Sequence, residues 1–256
     1  MHHSPILARA RYHPAVAPSL ARPDRGADSL ALLTSSLGAY LSAVVSARDI
    51  ARWCDGIARA EADWTHDFGG EQYSLGRAFY THFEEGKSRE YFAAAESDRT
   101  VERWAPGLQG TMLELMNSLT GGTVRRRYGW CGAGVHIFPA GEKVAREGGV
   151  KHFDTEGLPE FSLRNGNRAL SLVVMLDAPE SGGGLRLWDV LYQGRDAATP
   201  EEEAAPSELV NYAPGDAVLF SSYRLHQIQP FGGKRARISS TLHALEVSPG
   251  CWETWF

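Results

Sequence analysis

Lys151-His152-Phe153-Asp154-Thr155 is the stretch of this 256-residue chain best equipped for chemistry. Side chains alternate along extended backbone, so His152 and Asp154 share one face while Phe153 takes the other. An imidazole and a carboxylate on one face can fill two neighbouring positions on a metal ion. The third ligand must come from another segment, and His226 stands in a favourable place. It follows a tight turn, Pro214-Gly215-Asp216, and an apolar strand, Ala217-Val218-Leu219-Phe220. Two neutral imidazoles and one carboxylate make a facial triad that leaves three positions open, a set suited to non-haem iron(II). An H-x-D alone occurs often by chance, so its weight depends on its surroundings.

The segment after His226 supplies those surroundings. Along the final long strand, Arg235, Arg237, Ser239, Thr241 and His243 share one face, and Ala236, Ile238, Ser240, Leu242 and Ala244 share the other. If the apolar face packs outward on helices, the polar face turns inward. An arginine enclosed in a barrel is costly unless it meets an anion, and its planar fork suits a carboxylate. A neighbouring serine adds a hydrogen bond. The remaining histidines have plainer readings. His136, within Gly134-Val135-His136-Ile137-Phe138, reads as a pocket-wall or backbone-bonded strand residue rather than a fourth ligand. His66 and His82 fall in a helical region as surface or helix-end groups, and His2, His3 and His13 lie near the N-terminus.

Two halves of different grammar must position these residues. The first 120 or so residues read as helical. Ser29–Leu41 is rich in Leu, Ala and Ser. Ser46 and Asp49 resemble a capping box ahead of Ile50, Trp53, Cys54 and Ile57, and short helices are predicted at Leu75–Phe83 and Arg89–Ala95. The clearest helix begins near Pro106: Leu108, Met112, Leu115, Met116 and Leu119 form one core-facing stripe, ended by Gly121-Gly122. Beyond Gly122, strands are predicted at Val135–Phe138, Val150–Thr155, Leu170–Leu176, Leu185–Trp188, Glu208–Tyr212, Ala217–Ser221, Gln227–Pro230 and Ala236–Leu245, with no helices between them. Short strands with Gly/Pro turns indicate a barrel or jelly roll. The expected organisation is a loose leader over 1–27, with Arg9, Arg11, Arg22 and Arg25, then one domain over 28–256. Within it, 28–122 is helical and 123–256 is the jelly-roll core.

Composition narrows the function. The formal net charge of -5 argues against general nucleic-acid binding and against an acidic membrane surface. Cys54, Cys131 and Cys251 are odd in number and form no CxxC pair, against a zinc ribbon or a disulfide scaffold. No apolar run is long enough to span a bilayer and no secretory signal opens the chain, so a cytoplasmic location is expected. The sequence contains no GxSxG or HExxH, and Gly182-Gly183-Gly184 lacks the following GK[ST] of a phosphate loop, so it reads as a hairpin turn.

From about Val135 to His243 the sequence resembles the 2-oxoglutarate- and iron(II)-dependent oxygenases, in the branch similar to prolyl hydroxylase catalytic domains. The matching pieces are His152 and Asp154, Leu172–Asp177 followed by Gly182–Leu187, Pro214–Phe220, His226, Pro230, and the R-x-S of Arg237 and Ser239. The resemblance implies an α+β fold: a double-stranded β-helix (a cupin-like jelly roll) with the helical N-terminal region packed on one face. It implies iron(II) on His152, Asp154 and His226, and 2-oxoglutarate chelating the metal, its distal carboxylate on an arginine after the second histidine. Arg237 is chosen because the R-x-S pair is retained there, whereas Arg235 adjoins the Gly232-Gly233-Lys234 turn as a surface charge.

The same resemblance implies oxidative decarboxylation with O2, yielding succinate and carbon dioxide, with ascorbate as a supporting reductant. Halogenating relatives have Gly or Ala in place of the carboxylate, so Asp154 favours hydroxylation, desaturation or cyclisation. The expected substrate is a small molecule, an amino acid or natural-product intermediate, contacted by His136, Thr241 and His243. Gly141–Gly149 and Val190–Ser207, the latter containing Glu201-Glu202-Glu203, are the connections long enough to cover the site. Trp252 and Trp255 would anchor the C-terminal segment or close over the substrate. The rival readings are a prolyl-type protein hydroxylase, a zinc jelly-roll isomerase or hydrolase, and a non-catalytic cupin-like binding protein. The interior arginine argues against the last two, which need no dicarboxylic cosubstrate.

Overall fold

In the computed structural model, which describes residues 19–22 and 29–256, a short helix α1 (Ser29–Leu32) leads into a strand β1 (Ala39–Leu41). The helical reading of Ser29–Leu41 thus holds for its first turn only. Most of the proposed leader, with Arg9, Arg11, Arg25 and the three N-terminal histidines, lies outside the described residues. Ser19–Arg22 is docked: Leu20 is buried, its amide donates to Glu208, and Ala21 bridges Ala39.

Ser46 begins α2 (Ala47–Arg59), its hydroxyl accepting from the amide of Asp49 at 3.1 Å, which satisfies one free donor of the first turn. There follow β2 (Thr65–Asp67), β3 (Gln72–Leu75), α3 (Phe79–Glu84), α4 (Ser88–Tyr91), α5 (Ala94–Trp104) and α6 (Leu108–Thr120). On α6, Leu108, Met112 and Met116 are fully buried and Leu115 and Leu119 partly so, while Gly121 ends the helix in left-handed geometry. The predicted helix at Leu75–Phe83 begins four residues later than its apolar residues suggest, because Gln72–Leu75 is taken into the sheet.

The second half supplies β4 (Thr123–Arg126), β5 (Gly134–Phe138), α7 (Lys143–Glu147), α8 (Glu160–Asn165), β6 (Ala169–Asp177), β7 (Ser181–Gly182), β8 (Leu185–Leu191), α9 (Pro200–Glu203), β9 (Ser207–Val210), β10 (Ala217–Ser221), β11 (Arg224–Ile228), β12 (Phe231–Gly232), β13 (Arg237–Ser248) and β14 (Cys251–Trp255). The larger sheet runs β1-β10-β6-β13-β5-β3-β2, with β14 and β4 attached beyond β13; the facing sheets are β11-β8-β9 and β12-β7. This is the jelly roll expected. Two features correct the sequence reading. Three short helices do interrupt the strands, and the helical half lends β1, β2 and β3 to the large sheet, closing both its edges.

Side-chain alternation on β13 separates the two faces as expected. Ile238, Leu242 and Ala244 join α2, α5 and α6 in the main core with Trp53, Val101 and Met112. Arg237, Ser239, Thr241 and His243 face the interior cavity. Trp252 and Trp255 are both buried and hold β14 on the core, and Trp255 also lines the interior cavity. Among the described residues, no helix is long and apolar enough to cross a membrane.

Candidate metal centre and active site

His152 and His226 meet through their backbones. Each amide donates to the other residue's carbonyl, at 3.1 and 3.0 Å, in an antiparallel bridge. Residues paired in this way point their side chains to one face, and the two rings lie 4.1 Å apart between centroids. The predicted strand Val150–Thr155 is therefore reduced to this bridge, flanked by Gly149 N–H to Ile228 O and Asp154 N–H to Ser222 O at 2.9 Å each. The segment is extended but bends onto the irregular β11, whose register shifts between Arg224 and His226.

Each imidazole is oriented by a carbonyl. Nδ1 of His152 lies 2.8 Å from Val150 O, and Nδ1 of His226 lies 2.9 Å from Arg224 O. A carbonyl can only accept, so Nδ1 carries a proton and Nε2 is the atom turned toward a metal. Both Nε2 atoms lie 3.4 Å from the same carboxylate oxygen, Oδ1 of Asp154. The donor atoms of the three residues all fall within 4.8 Å of one another. The other carboxylate oxygen, Oδ2, is tied by the Ser171 hydroxyl at 2.5 Å, which also contacts Ser222 Oγ at 2.9 Å and His243 Nδ1 at 3.1 Å. One oxygen is thus free for a metal and the other is spent on holding the carboxylate.

The electrostatics follow from that grouping. Burial disfavours charge on Asp154, but the surrounding histidines His226, His243 and His152 outweigh it and hold the carboxyl well below the usual range. Desolvation works against protonated His152, while the hydrogen bond and charge of Asp154 work for it and lift it to about 9. A divalent cation in the same position would replace the proton on His152.

The three residues line a cavity of about 520 Å³ that also takes in Arg237, Ser239, Thr241, His136 and His243. Arg237 is 1% exposed, and its guanidinium donates to Gly183 O at 2.9 Å, Ser239 Oγ at 3.0 Å and Tyr212 Oη at 2.5 Å. No acidic partner meets it among the described residues, so a buried cation awaits an anion. Arg235 is more than half exposed and lies 3.7 Å from Asp177.

Three comparisons bear on this site. Residues 143–244 match the family model of the 2OG-Fe(II) oxygenase superfamily. That segment contains all three candidate ligands and Arg237. No curated protein matches the chain. Among solved structures, the chain is similar to the non-heme alpha-ketoglutarate-dependent epimerase SnoN from nogalamycin biosynthesis, at 15% identity over 81% of this chain and 78% of that one, with a TM-score of 0.52. It is also similar to an N-substituted L-amino acid dioxygenase from Burkholderia ambifaria AMMD, at 14% identity over 84% of each chain and a TM-score of 0.50. For the carbocyclase SnoK of nogalamycin biosynthesis the identity is 13%, over 86% of this chain and 92% of that one, with a TM-score of 0.51. At such identities the likeness is one of fold.

The matched family is named for iron(II) and 2-oxoglutarate, and the residues present fit both. Two imidazoles with free Nε2 atoms and a carboxylate tied on one side suit iron(II). The unmatched guanidinium, with serine and tyrosine hydroxyls beside it, suits a distal carboxylate.

The structure places the other candidates as follows. His136 and Thr241 are buried and line the cavity, and Nδ1 of His136 has no hydrogen-bond partner among the described residues. Burial first, then His243 and Arg237, push His136 down to about 3, so it is neutral. His243 reaches the cavity but is engaged with Ser171. Of the two long connections, Gly141–Gly149 borders the cavity through Lys143, Val144, Gly148 and Gly149, whereas Val190–Ser207 does not. Glu202 caps α9 with Thr199, and Glu203 pairs with Lys151. His82 is buried against Ala78 O on α3, and His66 is exposed on β2.

Sequence reasoning missed Ser171, Tyr212, Tyr80 and Glu156. Ser171 had a signal, as the lone polar side chain early in the apolar run Ala169–Leu176. Tyr80 and Glu156 sit in a helix and a turn that no pattern linked to the site.

Proposed function

We propose that this oxygenase hydroxylates an unactivated C–H bond of a small molecule, an amino acid or a natural-product intermediate, with conversion of 2-oxoglutarate to succinate and carbon dioxide. The observation that carries the reading is the convergence of His152, Asp154 and His226 in the cavity that also contains the unmatched Arg237. In this reading His152, Asp154 and His226 hold the iron, which supplies oxygen activation when bound. Arg237 and Ser239 orient 2-oxoglutarate, and Ser171 keeps Asp154 turned toward the metal. His136 and Thr241 present polar atoms to the substrate, with His243 beside them.

The cavity volume falls in the range of small-molecule sites, which supports a compact substrate over an extended peptide. The presence of Asp154 supports oxygen insertion over halogenation. Two of the structures it resembles are an epimerase and a carbocyclase, so the product's mass is the informative readout. The test is incubation with iron(II), ascorbate, 2-oxoglutarate and a panel of amino acids and their derivatives, followed by mass spectrometry. A gain of one oxygen with matching succinate supports hydroxylation. Loss of two hydrogens, or no mass change with succinate release, would replace it with desaturation, cyclisation or epimerisation.

A further inference from the structure

The cavity holds charge that the metal and cosubstrate do not use. Its carboxylates are Glu71, Glu84, Asp154 and Glu156, and its fixed cations are Lys143 and Arg237. Lys143 is paired with Glu71 at 3.0 Å. In the reading above, iron(II), Asp154, the 2-oxoglutarate dianion and Arg237 cancel in formal charge. Glu156 and Glu84 are left, and neither makes an ion pair among the described residues. Glu84 is exposed, so water can solvate it, but Glu156 is partly buried on the cavity wall. A carboxylate withdrawn from water without a partner is costly.

The turn that carries Glu156 is firmly built. Leu158 N–H donates to Thr155 O at 3.1 Å, and Arg127 donates to Gly157 O at 2.7 Å while stacking over Trp130 and Trp255. Gly157 has a φ of +82°, and a Cβ there would lie 2.9 Å from Trp255 Nε1, so the chain passes close against the indole. A separate observation points to a polar ligand in the same cavity. His136 is more than nine-tenths buried and lines the cavity, and its Nδ1 has no hydrogen-bond partner among the described residues. The rings of Phe68, Phe79, Tyr80 and Trp255 complete the surface, and aromatic faces attract cations.

We propose that Glu156 is a specificity-determining residue that pairs with a cationic nitrogen, an ammonium or substituted ammonium group, on the substrate. This rests on the small-molecule oxygenase reading and narrows its substrate class. Aromatic walls receive the groups next to the nitrogen, and His136 accepts or donates one hydrogen bond to a neighbouring polar atom.

The test is calorimetric titration of the iron- and 2-oxoglutarate-loaded protein under oxygen exclusion. The probes are amines and amino acids, each paired with its N-acetyl derivative, which has lost the positive charge. The expected result is that amines bind and acetylation weakens binding tenfold or more. Glu156→Gln should remove that preference and Glu156→Asp should restore part of it. The comparison on the unaltered protein stands even if a variant fails to load. Equal binding of the acetylated partners, retention of the preference in Glu156→Gln, or a panel without a cationic binder would overturn the proposal. Succinate release with a neutral substrate would leave the oxygenase reading intact while removing this one. Charge-selective binding without succinate would do the reverse.

Discussion

Replacing Arg237 by alanine separates cosubstrate binding from metal binding. The guanidinium is essentially inaccessible to water and has three internal acceptors, all neutral, so its charge has no counter-ion within the described protein. A carboxylate brought to it forms a desolvated, charge-assisted pair, and losing one member of such a pair costs about 2–5 kcal/mol. At about 1.4 kcal/mol per tenfold, KM for 2-oxoglutarate should rise roughly 30- to 4000-fold. Arg237→Lys keeps the charge but loses the fork and the contacts to Ser239 and Tyr212, so an intermediate rise is expected. Iron content should persist in both variants, because Arg237 touches none of the three candidate ligands. Arg235→Ala, which removes only an exposed pair with Asp177, should change KM by less than about twofold. The assay is succinate formed against 2-oxoglutarate concentration, with iron measured by elemental analysis. An unchanged KM in Arg237→Ala, or an equal effect from Arg235→Ala, would refute the assignment.

Further outcomes follow from the same contacts. Ser171→Ala frees Oδ2 of Asp154 and should lower iron(II) affinity about 10- to 100-fold, read by competition with a chelating dye; wild-type affinity would contradict the orienting role. His136 stays neutral down to about 3 in the folded protein, whereas an unfolded imidazole takes its proton near 6.5. Between those values the unfolded chain binds more protons, so stability should fall with falling pH by up to about 1.4 kcal/mol per unit. His136→Gln should flatten that dependence in urea titrations of the metal-free protein, and an unaltered slope would count against it. Met112→Ala, within the core under β13, should cost about 2–5 kcal/mol of stability while leaving KM for 2-oxoglutarate near wild type. A large KM change there would show that the helical layer does more than support the sheet.

What the sequence made legible was local and periodic. The H-x-D spacing, the R-x-S pair and the two faces of β13 are written at period two, and the structure puts His152 with Asp154, and Arg237 with Ser239, as that period requires. The α6 stripe at helical period was equally plain. Edge strands were not. Ala39–Leu41, Thr65–Asp67 and Gln72–Leu75 have only three or four residues, too few for alternation to stand out, and they exist because the large sheet offers unpaired edges. Val150–Thr155 erred in the opposite sense. Its alternation was real, but the bulged partner β11 accepts only one bridge from it. Tyr212 is invisible in sequence because its meaning comes from a guanidinium 25 positions away. Glu156 is invisible because a glutamate in a turn is ordinarily solvated.

The central claim is that one ferrous ion sits between His152, Asp154 and His226. Crystals loaded with iron(II) under oxygen exclusion, with diffraction collected at the iron absorption edge, test it directly. The account predicts one anomalous peak per chain, within coordination distance of Nε2 of both histidines and of Oδ1 of Asp154. A peak elsewhere, or one that includes His136 or His243 in place of any of the three, would contradict it.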